Sequence, residues 1–206
     1  GKKYIKYIVE MIEKLVNIPS PSGYCAQVMA FLENEAKSMG YETSYLNKGG
    51  LIVTVHGKSE EVTGMCAHVD TLGAMVRSVT ADGQLKIMPV GGYMMQTIEG
   101  EYCTIHARRN GRTYTGTVLT TEPSVHVYDD ARTLERKAAN MAVRIDEKVG
   151  SAEDVAALGI GAGDYISFAP RFVHTESGFI KSRHLDDKAS AAVLFGVLKY
   201  LKDKKI

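Results

Sequence analysis

The sequence predicts an α/β domain interrupted by an inserted β domain, and three observations lead there. Helical periodicity occupies both ends of the chain, while strand periodicity and turn signals fill the middle. The texture switches at Gly73 and switches back near Leu185. Composition supports a packed protein: of 206 residues, 45% are hydrophobic and 24% charged, which no disordered chain of low hydrophobicity would show.

The elements follow in order. Ile5, Ile8, Val9, Ile12, Leu15 and Val16 repeat at i, i+3, i+4 and i+7, so residues 4–17 read as an amphipathic helix. Pro19, Pro21 and Gly23 end it, because two prolines and a glycine cannot continue the ladder. Ser22 is placed to cap a second helix over about 23–39, with Val28, Phe31, Leu32 and Ala36 inward and Gly40 as its stop. Three short strands are expected at 42–46, 51–56 and 64–68, with Gly49 and Gly50 turning the first into the second.

The middle of the chain carries candidate strands at 74–79, 85–89, 102–108, 113–119, 141–147 and 164–168. Asp82-Gly83, Gly91-Gly92 and Asn110-Gly111 punctuate them, a spacing that suits a small antiparallel barrel or sandwich. One helical patch interrupts it at Ser151, where Ser-Ala-Glu-Asp has the capping-box form. From Leu185 a helical face returns with Ala189, Ala192, Val193, Gly196, Val197, Tyr200 and Leu201. The expected organisation is therefore an α/β part at 1–73, a β insertion at 74–173 and a continued α/β part at 174–206.

Charge and cysteine content narrow the function classes. The 25 basic and 24 acidic side chains leave a net charge of +1, without the basic patch that nucleic-acid binding needs. No run of 18 apolar residues exists to span a membrane, and the N-terminus lacks the apolar core of a signal peptide. Three scattered cysteines, Cys25, Cys66 and Cys103, form neither a disulfide framework nor a zinc motif. Each is expected to be a small buried hydrophobe in a cytoplasmic protein.

Two short motifs could carry chemistry. In Ala67-His68-Val69-Asp70 an extended backbone turns His68 and Asp70 to the same side. A metal-bound imidazole gives its other N–H to a carboxylate or carbonyl, so this spacing suits a metal ligand with its orienting acid. An isolated HxD is also common as plain structure. Leu185-Asp186-Asp187-Lys188 opens the last helix. There an aspartate either caps orphan N–H groups or, facing His68, bridges two divalent metals.

With these motifs in order, the chain resembles the M42 family of metallo-aminopeptidases. The matching pieces are IPSPSGY at 18–24, CAHVDTLGAMV at 66–76, TGTVL at 115–119, GDYISF at 163–168 and LDDK at 185–188. The similarity runs over essentially the whole chain. It implies a split zinc-peptidase-like catalytic α/β domain, here incomplete, with an inserted β-barrel that serves dimerisation. It implies a cytoplasmic enzyme that removes N-terminal residues from peptides with two divalent ions, Zn²⁺ or Co²⁺, and that assembles as homo-oligomers from dimers to dodecamers. His68 resembles a metal ligand, Asp70 the catalytic acid that orients or polarises it, and Asp186 the bridging carboxylate. Asp187 resembles an outer partner or a cap.

Thr71 departs from the acidic residue most relatives carry there, which alters local charge without removing an expected ligand. The larger departure is the Glu-Glu pair, the further Asp and the distal His that the family places after this helix. Residues 188–206 contain no Glu or His. The chain alone is therefore expected to be inactive, and a non-catalytic oligomerisation or binding module with a vestigial or incomplete metal site stands as the alternative. Among other histidines, His56 reads as surface or turn and His106 as a partly buried barrel residue. His126, His174 and His184 receive no ligand role.

Overall fold

The computed structural model describes residues 1–206. In chain order it contains α1 (Lys2–Asn17), α2 (Ala26–Ser38), β1 (Glu42–Tyr45), β2 (Leu51–Thr54), β3 (Gly73–Val79), β4 (Leu85–Val90), β5 (Tyr102–Ala107) and β6 (Arg112–Thr120). Then follow β7 (Met141–Ile145), α3 (Ala152–Ala157), β8 (Tyr165–Phe168), β9 (Val173–His174), β10 (Ile180–Lys181) and α4 (Leu185–Lys204). Two compact units result, one made of Gly1–Thr71 with Pro170–Ile206 and the other of Leu72–Ala169.

The second unit is a closed barrel with strand order β3-β4-β7-β6-β5-β8, closed by β8 pairing with β3. Every ladder in it is antiparallel. Alternation sends Ala74, Val76, Leu85, Ile87, Ile105, Val118, Val143 and Ile166 into one core. Gly116 sits in β6 because nothing larger fits: a Cβ there would lie 2.7 Å from the Arg144 carbonyl and 3.0 Å from Val143. Tyr93 packs edge-on against Phe168 at 5.7 Å and donates its hydroxyl to the Gly73 carbonyl. His106 is buried at 5% exposure, with Nε2 2.8 Å from the Ser167 hydroxyl. The helical patch begins as its sequence suggests, Ser151 accepting from the Asp154 N–H.

The first unit packs α1, α2 and α4 around Met11, Leu15, Val28, Leu32, Ala192 and Phe195. Hydroxyls tie these helices together, Tyr7 to Glu35 and Tyr41 to the Leu198 carbonyl, both at 2.7 Å. Lys188 is fully buried, and its ammonium donates to the Leu15 and Ile18 carbonyls, each at 2.7 Å. These carbonyls lie at the end of α1, where the Leu15 carbonyl also accepts from the Ile18 N–H and a cation complements the helix dipole. Burial pulls the Lys188 ammonium down from 10.5 to about 8.

Several local expectations need correction. Residues 64–68 are not a strand, for they pair with nothing, while β1 and β2 pair only with each other. The second helix starts at Ala26 with Cys25 as its N-cap, so Ser22 does not cap it. Cys103 is buried and Cys25 half-buried, but Cys66 is exposed.

Candidate metal centre

The site lies within the first unit and is assembled from three segments. The segment 67–71 is held in place by the turn after α1 rather than by a sheet. The Ser20 hydroxyl donates to the Val69 carbonyl at 2.7 Å, the Thr71 N–H to the Ser20 carbonyl at 2.8 Å, and the Ser22 N–H to the Thr71 carbonyl at 3.2 Å. Pro21 and Thr71 form a parallel bridge. Thr71 is buried, which suits the uncharged residue found there.

The third segment is the start of α4. Asp186 and Asp187 have non-helical backbone angles, so the regular helix begins at Lys188, and the peptide between the two aspartates is cis. Asp186 turns away from α4 and places Oδ1 3.1 Å from His68 Nε2, across 118 residues of sequence. Asp187 Oδ2 accepts from the His68 backbone N–H at 3.4 Å. The reading of Asp186 as a helix cap therefore fails.

On the other side of the ring, His68 Nδ1 stands 3.2 Å from the Asp70 carbonyl and 3.2 Å from Asp70 Oδ1. The angular fit favours the carbonyl as hydrogen-bond acceptor, with the carboxylate at ion-pair distance. Asp70 Oδ2 in turn accepts from the Ser22 hydroxyl. Burial lowers the His68 pKa, but Asp70 and Asp186 outweigh it and the net shift is upward. This exposed cluster is strongly anionic, as a cation site should be.

The donor geometry suits a metal. Two ligands at about 2.0–2.2 Å from one tetrahedral Zn²⁺ stand roughly 3.3 Å apart, close to the His68–Asp186 separation. Each ring nitrogen thus faces an acceptor, Nδ1 the Asp70 carbonyl and Nε2 the Asp186 carboxylate, and a metal between Nε2 and Asp186 would take the place of the Nε2 proton. Imidazole and carboxylate are donors that Zn²⁺ and its neighbours accept. These side chains do not by themselves form a cluster of three or more metal-ligating groups. Among the other histidines, His56 pairs with Glu42 and His106 with Ser167.

A family model described as M42 glutamyl aminopeptidase matches residues 49–206. The chain belongs to the M42 peptidase family. Among its relatives, YhfE of Bacillus subtilis is 48% identical over 203 residues, covering 98% of this chain and 58% of the relative. The glutamyl aminopeptidase of Lactococcus lactis is 25% identical over 202 residues, covering 97% and 56%. The TET1 peptidase of Pyrococcus horikoshii, which assembles into a tetrahedron or a large octahedral shell, shares the fold. Its TM-score is 0.81 at 24% identity, over 96% of this chain and 57% of that one. The chain thus spans little more than half the length of these relatives.

Sequence reasoning named His68, Asp70 and Asp186 but passed over Ser22, Ser20 and Lys188. The two serines stood in a turn that only a contact 48 or 49 residues away connects to the site. Lys188 belongs to the LDDK box, and no local signal marks it as a buried tie to the end of α1.

Proposed function

We propose that this chain carries one part of the site of a metal-dependent aminopeptidase that hydrolyses N-terminal residues from peptides. His68 and Asp186 are the donors toward two divalent ions, Zn²⁺ or Co²⁺, and Asp70 orients the imidazole. The observation that supports this reading most is the 3.1 Å approach of His68 Nε2 to Asp186 Oδ1. Family membership and relatives named as aminopeptidases support the reaction class. A close pair of divalent ions, when bound, polarises a carbonyl and supplies hydroxide near neutral pH.

The chain's own residues have defined tasks in that reading. His68 would give Nε2 to the metal in place of its proton, and Asp186 offers a carboxylate whose side chain is 94% exposed. Asp70 keeps the ring from turning. The glutamates that the resemblance expects after α4 are not among these 206 residues. Assembly into homo-oligomers is part of the proposal, supported by the shells that TET1 forms. A cytoplasmic setting is supported by three free cysteines, and no helix is long and apolar enough to cross a membrane.

Calorimetric titration of the 206-residue chain with Zn²⁺ tests the site. Binding that disappears in both His68→Ala and Asp186→Ala is expected. Binding unchanged in both variants overturns the assignment.

A further inference from the structure

We propose that Ser22 is a positioning residue of this site, holding the Asp70 carboxylate so that it faces the His68 imidazole. The inference rests on the metal-site reading above and adds a layer to it. Its starting point is a hydroxyl with no local task. Ser22 precedes α2 as a capping serine should, yet the N-cap is Cys25, and no side chain caps that helix. The strap 20–22 does not need the Ser22 side chain either. It is fixed along 69–71 by the Ser20 hydroxyl and by two backbone bonds, Thr71 to Ser20 and Ser22 to Thr71. What remains for the Ser22 hydroxyl is the bond it makes, donation to Asp70 Oδ2.

That bond has a directional consequence. The Asp70 side chain is 44% exposed, so without a fixed donor its carboxylate is free to rotate toward water. With Oδ2 held by Ser22, Oδ1 is left 3.2 Å from His68 Nδ1, beside the Asp70 carbonyl that also faces Nδ1. Two acceptors then face Nδ1 and favour the proton there, in competition with Asp186, whose Oδ1 faces Nε2 at 3.1 Å on the side where a metal would bind. A relay of Ser22, Asp70, His68 and Asp186 results, with Ser22 touching neither metal nor substrate. Its effect is on which ring nitrogen carries the proton.

The tautomer test compares Ser22, Ser22→Ala and Ser22→Thr in the 206-residue chain carrying Asp186→Ala, free of metal and at a pH where His68 is neutral, so that no carboxylate competes for the proton at Nε2. Long-range ¹H–¹⁵N spectra report the tautomer of the His68 ring. In that background the Ser22 and Ser22→Thr chains are expected to hold the proton on Nδ1, and Ser22→Ala to shift toward Nε2–H with an unchanged melting temperature. The metal measurement uses chains with Asp186 intact. Zn²⁺ affinity should fall about tenfold in Ser22→Ala, the low end for partners outside the ligand set, and recover in Ser22→Thr. A Ser22→Ala ring with the tautomer of the Ser22 chain overturns the proposal. So does a Ser22→Ala protein that melts lower and changes its tautomer no more than Ser22→Thr. A wild-type chain that takes up no Zn²⁺ defeats the metal reading, while the tautomer comparison still decides the role of Ser22.

Discussion

Around His68, the carboxylates differ in what their removal does. Asp186 is the direct donor in the proposed site, so in the complete enzyme Asp186→Ala is expected to abolish activity, because two cations lose their shared anion. Asp70→Ala leaves both donors in place and the backbone carbonyl at 3.2 Å still facing Nδ1. Its expected loss is smaller, about 10–100-fold in metal affinity or activity. Steady-state kinetics and Zn²⁺ titration of both variants check the order, and equal losses would count against it. His106 gives a residue-scale prediction for stability. Burial pushes its pKa below the ordinary 6.5, so the folded barrel holds it neutral while the unfolded chain protonates it. The stability this provides is complete above pH 6.5 and declines as pH falls below it, down through the lowered folded value. Melting curves over that acid range should be flatter for His106→Gln, which keeps a donor for Ser167 and does not titrate.

At the scale of elements, β6 and the α1–α4 tie carry the sharpest expectations. Gly116→Ala puts a methyl 2.7 Å from the Arg144 carbonyl, a backbone atom that cannot swing away as a side chain would. Opening the β6–β7 ladder to admit it should cost about 1–3 kcal/mol, measured by denaturant unfolding. Lys188→Met fills the same volume but takes the ammonium donor from the Leu15 and Ile18 carbonyls, of which Leu15 keeps the Ile18 N–H, so the cost is roughly 1–3 kcal/mol for the carbonyl left unsatisfied. Faster amide exchange in the last turn of α1 would show it. The barrel was legible because β-branched alternation and Asn-Gly or Asp-Gly turns are local signals, and each strand found an antiparallel neighbour. Residues 64–68 carried the same apolar signal, but a strand exists only with a partner and here none is paired. The site was half legible for a similar reason. His68 and Asp186 announce themselves by residue type, whereas Ser22 had a satisfactory local reading as a cap. Only the fold shows its hydroxyl spent on a residue 48 positions away.

For the whole chain, the two units differ in how their cores are built. Every residue of the barrel core, from Ala74 to Phe168, lies inside Leu72–Ala169. Every residue of the other core, from Met11 to Leu198, lies in Gly1–Thr71 or Pro170–Ile206. The barrel also has no unpaired edge, since β8 closes onto β3. A unit with its own core and closed hydrogen bonding meets the conditions for folding alone. The first unit has only the β1–β2 and β9–β10 hairpins as sheet, and a two-stranded hairpin is marginal without packing. A peptide of residues 72–169 is therefore expected to unfold in one cooperative transition. In the 206-residue chain the same transition should appear separately from that of the helical unit. Ser22→Ala and Lys188→Met should leave it in place, while Gly116→Ala lowers it. A 72–169 peptide without cooperative unfolding, or a single transition in the whole chain that Lys188→Met and Gly116→Ala shift alike, would mean that the two cores depend on each other.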